Sequence, residues 1–315
     1  MSKPLLAFLI SLGLAVILTP LAMIFGRKVG ITDKVGDTTP SGQTKITKKP
    51  TARTGGLALI FAILLPFLFL NLPSSKAIGI TGGAIIIFIV MFLDDIYGLG
   101  PIPKLLGQLA AATAAILGGL RIGYLTNIFG QGWLNLEWLS IPLTYFWILI
   151  VTNAMNFIDG LDGLAAGITV IATIASAFTS SSRAIFPPTI LLASIAGGAL
   201  GFLPFNFKPA KIFMGDSGAH LIGFLIATAT IWGTSKATSA VVIGVAILCL
   251  GVPMFDVFFS AIRRMLSGKS PLKGDMDNIH YILVKKGWSE TSVVLVFYLI
   301  TAILSAIALS FTVLR

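Results

Sequence analysis

Long apolar stretches with few charges constrain this chain more than any other feature. Several runs of about 20 residues carry almost no charge, which is the length that an α-helix needs to cross a bilayer. Over 315 residues, 56% of side chains are hydrophobic, 11% are charged and the mean hydropathy is +0.96. A soluble globule cannot bury so much apolar surface, and the runs lack the alternation of an outer-membrane barrel. The sequence therefore predicts an all-α polytopic membrane protein.

The apolar runs predict about ten transmembrane helices within one integral membrane domain, residues 1–315. Neither a repeat nor a linker divides the chain into smaller units. The predicted spans are 4–25, 55–72, 77–93, 104–120, 139–157, 163–180, 186–203, 218–233, 238–259 and 291–313.

Basic residues are unevenly divided among the loops between these spans. The positive-inside rule places basic loops in the cytoplasm, and the odd-numbered loops hold most of the 22 Lys and Arg residues. This predicts that both termini lie outside, and it explains the net charge of +10 without a nucleic-acid partner. The outer segment 121–138, with a Gly-Gln-Gly centre, predicts a small extracytoplasmic hairpin.

Acidic residues show a sharper asymmetry than the basic ones. Of the 12 Asp and Glu residues, all but Glu137 lie in odd loops or at the span ends that face them. Acidic residues respond weakly to the positive-inside rule, so topology does not require this placement. The pattern predicts a cytoplasmic-face site built from carboxylates, such as a metal–phosphate site.

Two strings put carboxylates beside predicted helix ends. Asp94 and Asp95 follow the third span, where adjacent carboxylates are costly unless a divalent cation or a lysine lies beside them. Asp216 and Ser217 begin the eighth span, whose N-terminus attracts phosphate and where an Asp can carry Mg²⁺. Phe213, one turn earlier, could stack on a nucleobase. The structural alternatives are helix caps for the carboxylates and an interfacial anchor for Phe213.

A third string places polar residues at every third position across the end of the fifth span. It comprises Asn153, Asn156, Asp159 and Asp162, interrupted by glycines that let a ligand approach the backbone. These amides and carboxylates could bind a base or a sugar, or hold a metal through water. The structural alternative is a capped turn between two spans, since Asp-Gly is a common turn dipeptide.

Two basic strings could bind phosphate. Residues 48–56 join a basic stretch to Gly-Gly, which lets the backbone approach an anion, and Arg263 and Arg264 follow the ninth span. Both strings are also explained by topology and anionic lipid. A short surface helix is predicted over 278–286 with His280 on it, whereas His220 is interpreted as structural.

Together these strings resemble the polyprenyl-phosphate N-acetylhexosamine-1-phosphate transferase superfamily over residues 48–288. The matching motifs are Asp94-Asp95, Asn156-x-x-Asp159-Gly-Leu-Asp162-Gly, Phe213-Met-Gly-Asp216-Ser-Gly and the His of loop 9. The resemblance implies transfer of a HexNAc-1-phosphate, preferably GlcNAc-1-phosphate, from a UDP-sugar to undecaprenyl phosphate at the bacterial inner membrane. It implies Mg²⁺ as cofactor, with Mn²⁺ as an alternative, and leaves a homodimer open.

The resemblance also implies roles for individual residues. Asp216 matches the Mg²⁺ ligand, and Asp94 and Asp95 match the pair near the diphosphate and the lipid phosphate. The other matches are Asp159, Gly160, Leu161 and Asp162 in the nucleotide-sugar loop, Phe213 against uracil, Lys48 near the nucleotide, and Asn156 and Asn206 as polar site residues. The catalytic candidates are Asp94, Asp95, Asp159, Asp162 and His280, and the substrate-binding candidates include Arg263 and Arg264.

Loop 9 departs from the pattern of the superfamily. The string Asn278-Ile-His280-Tyr281 keeps one His, where the GlcNAc branch has His-x-His-His and the muramoyl-pentapeptide branch has three in succession. The preceding Arg263-Arg264 is more like the GlcNAc branch, although a phospho-N-acetylmuramoyl-pentapeptide transferase stays an alternative.

Two other classes use membrane carboxylates. A membrane prenyltransferase would want Asp-Asp-x-x-Asp, whereas position 98 here is Gly. An ion-coupled transporter would place its carboxylates near the midplane and often shows repeats, whereas these acids gather at one interface.

Overall fold

The computed structural model describes residues 1–33, 50–71, 73–126, 133–182, 184–233, 246–266 and 278–313. This part of the chain is mostly helical. Its helices are α1 Lys3–Val29, α2 Gly55–Leu70, α3 Ser75–Tyr97, α4 Pro101–Leu117, α5 Ser140–Ile158, α6 Leu164–Ser182, α7 Phe186–Asn206, α8 Gly215–Trp232, α9 Gly251–Leu266, α10 Ile279–Lys285 and α11 Glu290–Val313. A 3₁₀ turn, Glu137–Leu139, leads into α5.

Six described helices are long and apolar enough to cross a membrane: Lys3–Val29, Ser75–Tyr97, Glu137–Ile158, Leu164–Ser182, Phe186–Asn206 and Glu290–Ser310. They support an all-α, multi-pass membrane protein. The predicted spans 55–72 and 104–120 form the shorter apolar helices α2 and α4. The predicted span 218–233 forms α8, which begins with polar residues, and part of 238–259 lies outside the described residues. The count of ten spans and the topology therefore stay predictions.

Helix α8 forms the centre of the described fold. All of its residues from Ser217 to Ile231 are buried, and it packs against α2, α3, α5 and α7. Small residues allow this close packing: a side chain at Gly223 would collide with Thr152 of α5, and one at Gly218 would meet Gly56 of α2. The N-terminal end of α8 thereby meets the C-terminal end of α3, where both carry carboxylates.

Two short antiparallel ribbons complete the described structure. Strand β1, Thr32–Asp33, pairs with β2, Thr51–Ala52. Strand β3, Tyr124–Thr126, pairs with β4, Trp133–Asn135, which confirms a hairpin within the predicted segment 121–138. Its position on the outer side of the membrane stays a prediction.

The short helix predicted over 278–286 is also confirmed, as α10. His280 lies on this helix, as predicted, and is fully buried. The reason is tertiary: α10 packs against α9 and α11, and the face bearing His280 turns toward them.

Candidate active site

Three carboxylates from two distant helices meet at one point. Asp94 and Asp95 lie on the last turn of α3, and Asp216 lies on the first turn of α8. One oxygen atom from each residue lies within 4.8 Å of the others. Asp94 is 5% exposed and Asp95 is 8% exposed, so at least two of these carboxylates are removed from bulk water. This group is called the carboxylate cluster below.

Asp95 also caps the N-terminus of α8. Its two carboxylate oxygens accept the backbone N–H groups of Asp216, at 2.8 Å, and Ser217, at 3.0 Å. Gly215 makes this approach possible, because it has a φ of +74° and a side chain there would lie 2.7 Å from Asp95 Oδ2. The anion that was expected at this helix N-terminus is therefore, in the structure, a carboxylate of the protein itself.

Two cations pair with the carboxylate cluster and offset part of its charge. Lys104 Nζ, on the first turn of α4, lies 2.6 Å from Asp94 Oδ2 and 2.7 Å from Asp216 Oδ2. Arg53 Nη2 lies 3.3 Å from both Asp95 Oδ1 and Asp216 Oδ1. Burial alone would lower the pKa of Arg53, but the charges of Asp95 and Asp216 raise it above its usual value. Buried carboxylates at this separation need such partners to stay ionised.

Sequence reasoning did not single out Lys104, and it treated Arg53 only as part of a basic string. A lysine at the start of an apolar helix looks like a topology residue. The available signal was the adjacent acid pair, since Asp94 and Asp95 required either a divalent cation or a lysine beside them. The structure shows that Lys104 supplies that charge.

The Gly55-Gly56 pair positions Arg53 instead of leaving open an anion site. The N–H of Gly55 donates to Phe213 O at 3.0 Å, and that of Gly56 donates to Met214 O at 2.9 Å. A side chain at either glycine would collide with the 213–218 segment. The close approach of α2 to the start of α8 thus carries Arg53 to the carboxylate cluster. Phe213 lies half-buried in the same segment.

A fourth carboxylate lies on the turn between α5 and α6. Asp159 forms the C-cap of α5 and is half-buried at the end of that helix. Burial raises the pKa of Asp159 well above its usual value, and the negative charges of Asp216 and Asp95 raise it further. The charges of the carboxylate cluster thus act on Asp159 as well. Leu161, two residues later, packs in the core.

The other end of this turn is tied to the segment between α7 and α8. The side-chain oxygen of Asn206 accepts the N–H of Gly163 at 3.2 Å, and its NH₂ group donates to Ile212 O at 3.0 Å. Both polar atoms of this side chain are therefore hydrogen-bonded to the protein backbone. Asp162 Oδ2 accepts the N–H of Ala210 at 3.0 Å. In the structure both side chains hold the scaffold, and their substrate roles stay predictions.

Comparison with known proteins places the chain in a family. Residues 77–234 match glycosyl transferase family 4. The chain belongs to that family. It is 37% identical over 313 residues to a probable undecaprenyl-phosphate N-acetylglucosaminyl 1-phosphate transferase of Bacillus subtilis, covering 98% of this chain and 85% of the relative.

Two further relatives carry names for related transfers. A decaprenyl-phosphate N-acetylglucosaminephosphotransferase of Mycolicibacterium smegmatis is 34% identical over 291 residues, covering 82% of this chain and 71% of the relative. A phospho-N-acetylmuramoyl-pentapeptide-transferase of Halalkalibacterium halodurans is 30% identical over 320 residues, covering 97% and 96%. The family resemblance expected from the motifs is confirmed.

The structure describes only some of the remaining predicted residues of this family 4 protein. Asn156 is half-buried one turn before Asp159, and Arg263 is half-exposed on α9. Arg264 lies on the same helix, its side chain outside the described residues, and Lys48 lies wholly outside them. His220 is buried, with Nδ1 2.9 Å from Asp216 O in its own helix, in keeping with a structural role.

The chemistry of the donor set fits a divalent cation. Carboxylate oxygens are the ligands that Mg²⁺ prefers, and three of them converge within bonding reach of one ion. Lys104 and Arg53 add N–H donors suited to phosphate oxygens. The arrangement is able to bind a diphosphate and to stabilise negative charge on it.

Proposed function

We propose that this protein transfers GlcNAc-1-phosphate, or a close HexNAc-1-phosphate, from a UDP-sugar to undecaprenyl phosphate and releases UMP. This reaction would be the first membrane step of a cell-envelope glycan. The observation that carries the proposal is the carboxylate cluster, paired with Arg53 and Lys104, in a chain 37% identical to a relative named for this transfer.

The carboxylate cluster would hold Mg²⁺, with Mn²⁺ as an alternative. When bound, the ion would neutralise the diphosphate and help UMP to leave. Lys104 and Arg53 would then donate to phosphate oxygens, because each already lies between two carboxylates that the ion could satisfy. Asp159 would meet the donor beside the cluster. Little covalent work falls to the protein, and positioning and charge neutralisation do most of it.

The role of the α3 carboxylates has two alternatives. In a one-step route the lipid phosphate oxygen attacks the β-phosphorus, and Asp94 or Asp95 takes its proton. In a two-step route one aspartate is the nucleophile. Incubation with donor alone separates the two, because only the two-step route forms a phosphorylated aspartyl enzyme.

The arrangement in the membrane is part of the proposal. We propose ten spans, both termini outside, and a site at the cytoplasmic face of the bacterial inner membrane. The acceptor tail is insoluble in water and the donor cannot enter lipid, so the reaction requires an interface. The six apolar helices and the gathering of acids at one end of the spans support this arrangement. A homodimer is an additional option, to be tested by mass measurement in detergent.

The test uses purified protein with Mg²⁺, undecaprenyl phosphate and a panel of UDP-sugars, with UMP release as the readout. We expect release from UDP-GlcNAc or a close UDP-HexNAc, abolished by EDTA and restored by Mg²⁺. Selective turnover of UDP-MurNAc-pentapeptide would instead support the activity for which the Halalkalibacterium halodurans relative is named.

The other classes predict different outcomes from the same preparation. Absence of UMP with every donor would refute the proposed transfer. Prenylation of an aromatic acceptor would indicate a prenyltransferase, and uptake of unchanged substrate into liposomes would indicate a transporter.

A further inference from the structure

Helix α9 carries a buried carboxylate that the proposed chemistry does not use. Asp256 is 1% exposed. Its Oδ1 accepts the backbone N–H of Ile279 at 2.7 Å, and its Oδ2 lies 3.2 Å from Nδ1 of His280. Burying a carboxylate is costly, and an apolar residue would often be better for stability alone. Packing alone therefore does not explain why a carboxylate occupies this position.

The residues that Asp256 contacts begin α10, and α10 in turn contacts the end of α5. Asn278 Nδ2 donates to Phe157 O at 3.1 Å, and Tyr281 Oη donates to Gly160 O at 2.9 Å. Three bonds that start from one helical turn thus reach α9 on one side and residues 157–160 on the other. We call Asp256, Asn278, His280 and Tyr281 the α10 clasp.

His280 is the link between the two sides of the α10 clasp. It is fully buried, with Nδ1 toward Asp256 and Nε2 against the α-carbon of Gly160. A side chain at Gly160 would collide with Nε2 of His280 and with Oη of Tyr281. Within the described residues neither ring nitrogen makes a hydrogen bond, and neither does Asp256 Oδ2, so His280 and Asp256 meet as a close contact of 3.2 Å. The ring lies between Asp256 and Gly160, and it relates the position of one to the other by contact.

The turn held in this way carries Asp159. That residue lies between Phe157 and Gly160, both of which bond the α10 clasp through their carbonyl groups. The far end of the same turn is fixed separately, because Tyr298 Oη donates to Gly163 O at 2.6 Å. The position of Asp159 thus depends on the α10 clasp at one end.

We propose that Asp256 is a positioning residue: through His280 it holds the 157–160 segment so that Asp159 meets the sugar-nucleotide donor. The inference rests on the proposed function, because it takes the donor to lie beside Asp159. A helix cap alone would make a different prediction. If Asp256 only capped α10, its loss would lower stability without a selective effect on the donor.

The test compares Asp256→Asn, His280→Gln and the double variant in the UMP-release assay. We expect each single variant to lower kcat/KM for the UDP-sugar about 10- to 100-fold, as for other orienting partners. The loss should appear mainly in the donor KM, while the KM for undecaprenyl phosphate stays within about twofold. Because Asp256 acts through His280, the double variant should lose no more than the worse single variant.

A matched control removes a different carboxylate at the same end of the molecule. Glu290, on the first turn of α11, pairs with Lys208 and is absent from the α10 clasp. Glu290→Gln should leave both KM values near those of the wild type. Additive losses in the double variant, or equal losses for donor and acceptor, would overturn the positioning role.

A second variant keeps the inference testable if Asp256→Asn does not fold. Tyr281→Phe removes the bond to Gly160 O and leaves Asp256 and His280 in place. It should raise the donor KM in the same direction by a smaller factor. A normal donor KM in both Tyr281→Phe and His280→Gln would refute the α10 clasp.

Hydrogen exchange separates this inference from the proposed function. Amides of segments 157–164 and 278–286 should exchange faster in Asp256→Asn, or in Tyr281→Phe, than in the wild type, whatever the reaction is. If the wild-type protein releases no UMP but the variants still exchange faster than it does, the proposed function is refuted and the α10 clasp is retained. Unchanged exchange in both segments would refute the clasp alone.

Discussion

Two regions at one end of the molecule hold carboxylates in different ways. In the carboxylate cluster Asp94 and Asp216 pair with the long side chains of Lys104 and Arg53, while Asp95 also accepts two backbone N–H groups. At the turn and the α10 clasp the partners are backbone N–H groups, of Ala210 for Asp162 and of Ile279 for Asp256. A cationic side chain can transfer its bonds to a phosphate, whereas a backbone N–H fixed in the fold cannot. The first region is thus suited to exchange partners during a reaction, and the second to keep its geometry.

The largest expected effect comes from removing a charge in the carboxylate cluster. Asp216→Asn should lower UMP release by about 1000-fold or more, because one ligand of the proposed ion and the shared partner of Arg53 and Lys104 are lost together. Asp33→Asn is the control, since Asp33 also pairs with Arg53, at 3.5 Å, but lies outside the carboxylate cluster. Near-normal activity of Asp216→Asn would refute the metal assignment.

Lys104→Met should lower turnover by about 100-fold, because a positive charge that faces the diphosphate is lost. Lys104→Arg should restore little of it, since the planar guanidinium cannot take the place of a compact ammonium between two carboxylates. The measurement is kcat for UMP release at saturating donor and acceptor. Full rescue by Arg would show that Lys104 contributes charge without geometry.

In the turn held by the α10 clasp, Gly160→Ala should raise the donor KM about tenfold. The new methyl group would push His280 and Tyr281 away from the turn. Gly82→Ala in α3 is a matched control, since a side chain there meets no atom within 4 Å. If both alanine variants bind donor normally, the turn tolerates movement. The contrast between a carboxylate cluster that exchanges partners and a turn that keeps its geometry is then weakened.

Asn206→Leu should lower the free energy of unfolding by about 1–3 kcal/mol, because it leaves the N–H of Gly163 and the carbonyl of Ile212 without their partner. Thermal unfolding in detergent measures the change. An unaltered midpoint together with lost donor binding would instead support the substrate role predicted for Asn206 from the sequence.

The smallest effect should come from within the spans. The side-chain amides of Gln108 in α4 and Asn153 in α5 form two hydrogen bonds with each other, of 3.2 and 2.7 Å. Gln108 lies one turn after Lys104, and Asn153 lies one turn before Asn156. A double-mutant cycle with alanine should give a coupling energy of about 0.6 kcal/mol, the average found for side-chain bonds inside membranes. A coupling several times larger would show that the α4–α5 contact helps to fix the carboxylate cluster.

Much of the site was predictable because charges are rare in this chain. Asp94, Asp95, Asp159 and Asp216 stand out against apolar spans, where each ionised group needs a partner. Asp256 was counted among the acids that face one side but was given no role, since a single acid near the end of a span resembles an interfacial residue. Its partner His280 follows in the sequence only after a long loop, and no local pattern joins them.

Hydropathy by itself determined that the chain is a helical membrane protein, because apolar runs of this length have few other stable forms. The spacing of its rare carboxylates also indicated the chemistry of the site. The tertiary structure alone decided which cation meets which carboxylate, that Asp95 caps α8, and that α10 holds the turn carrying Asp159. Those pairings depend on helices distant in sequence, and the packing of small residues along α8 sets the distances between them.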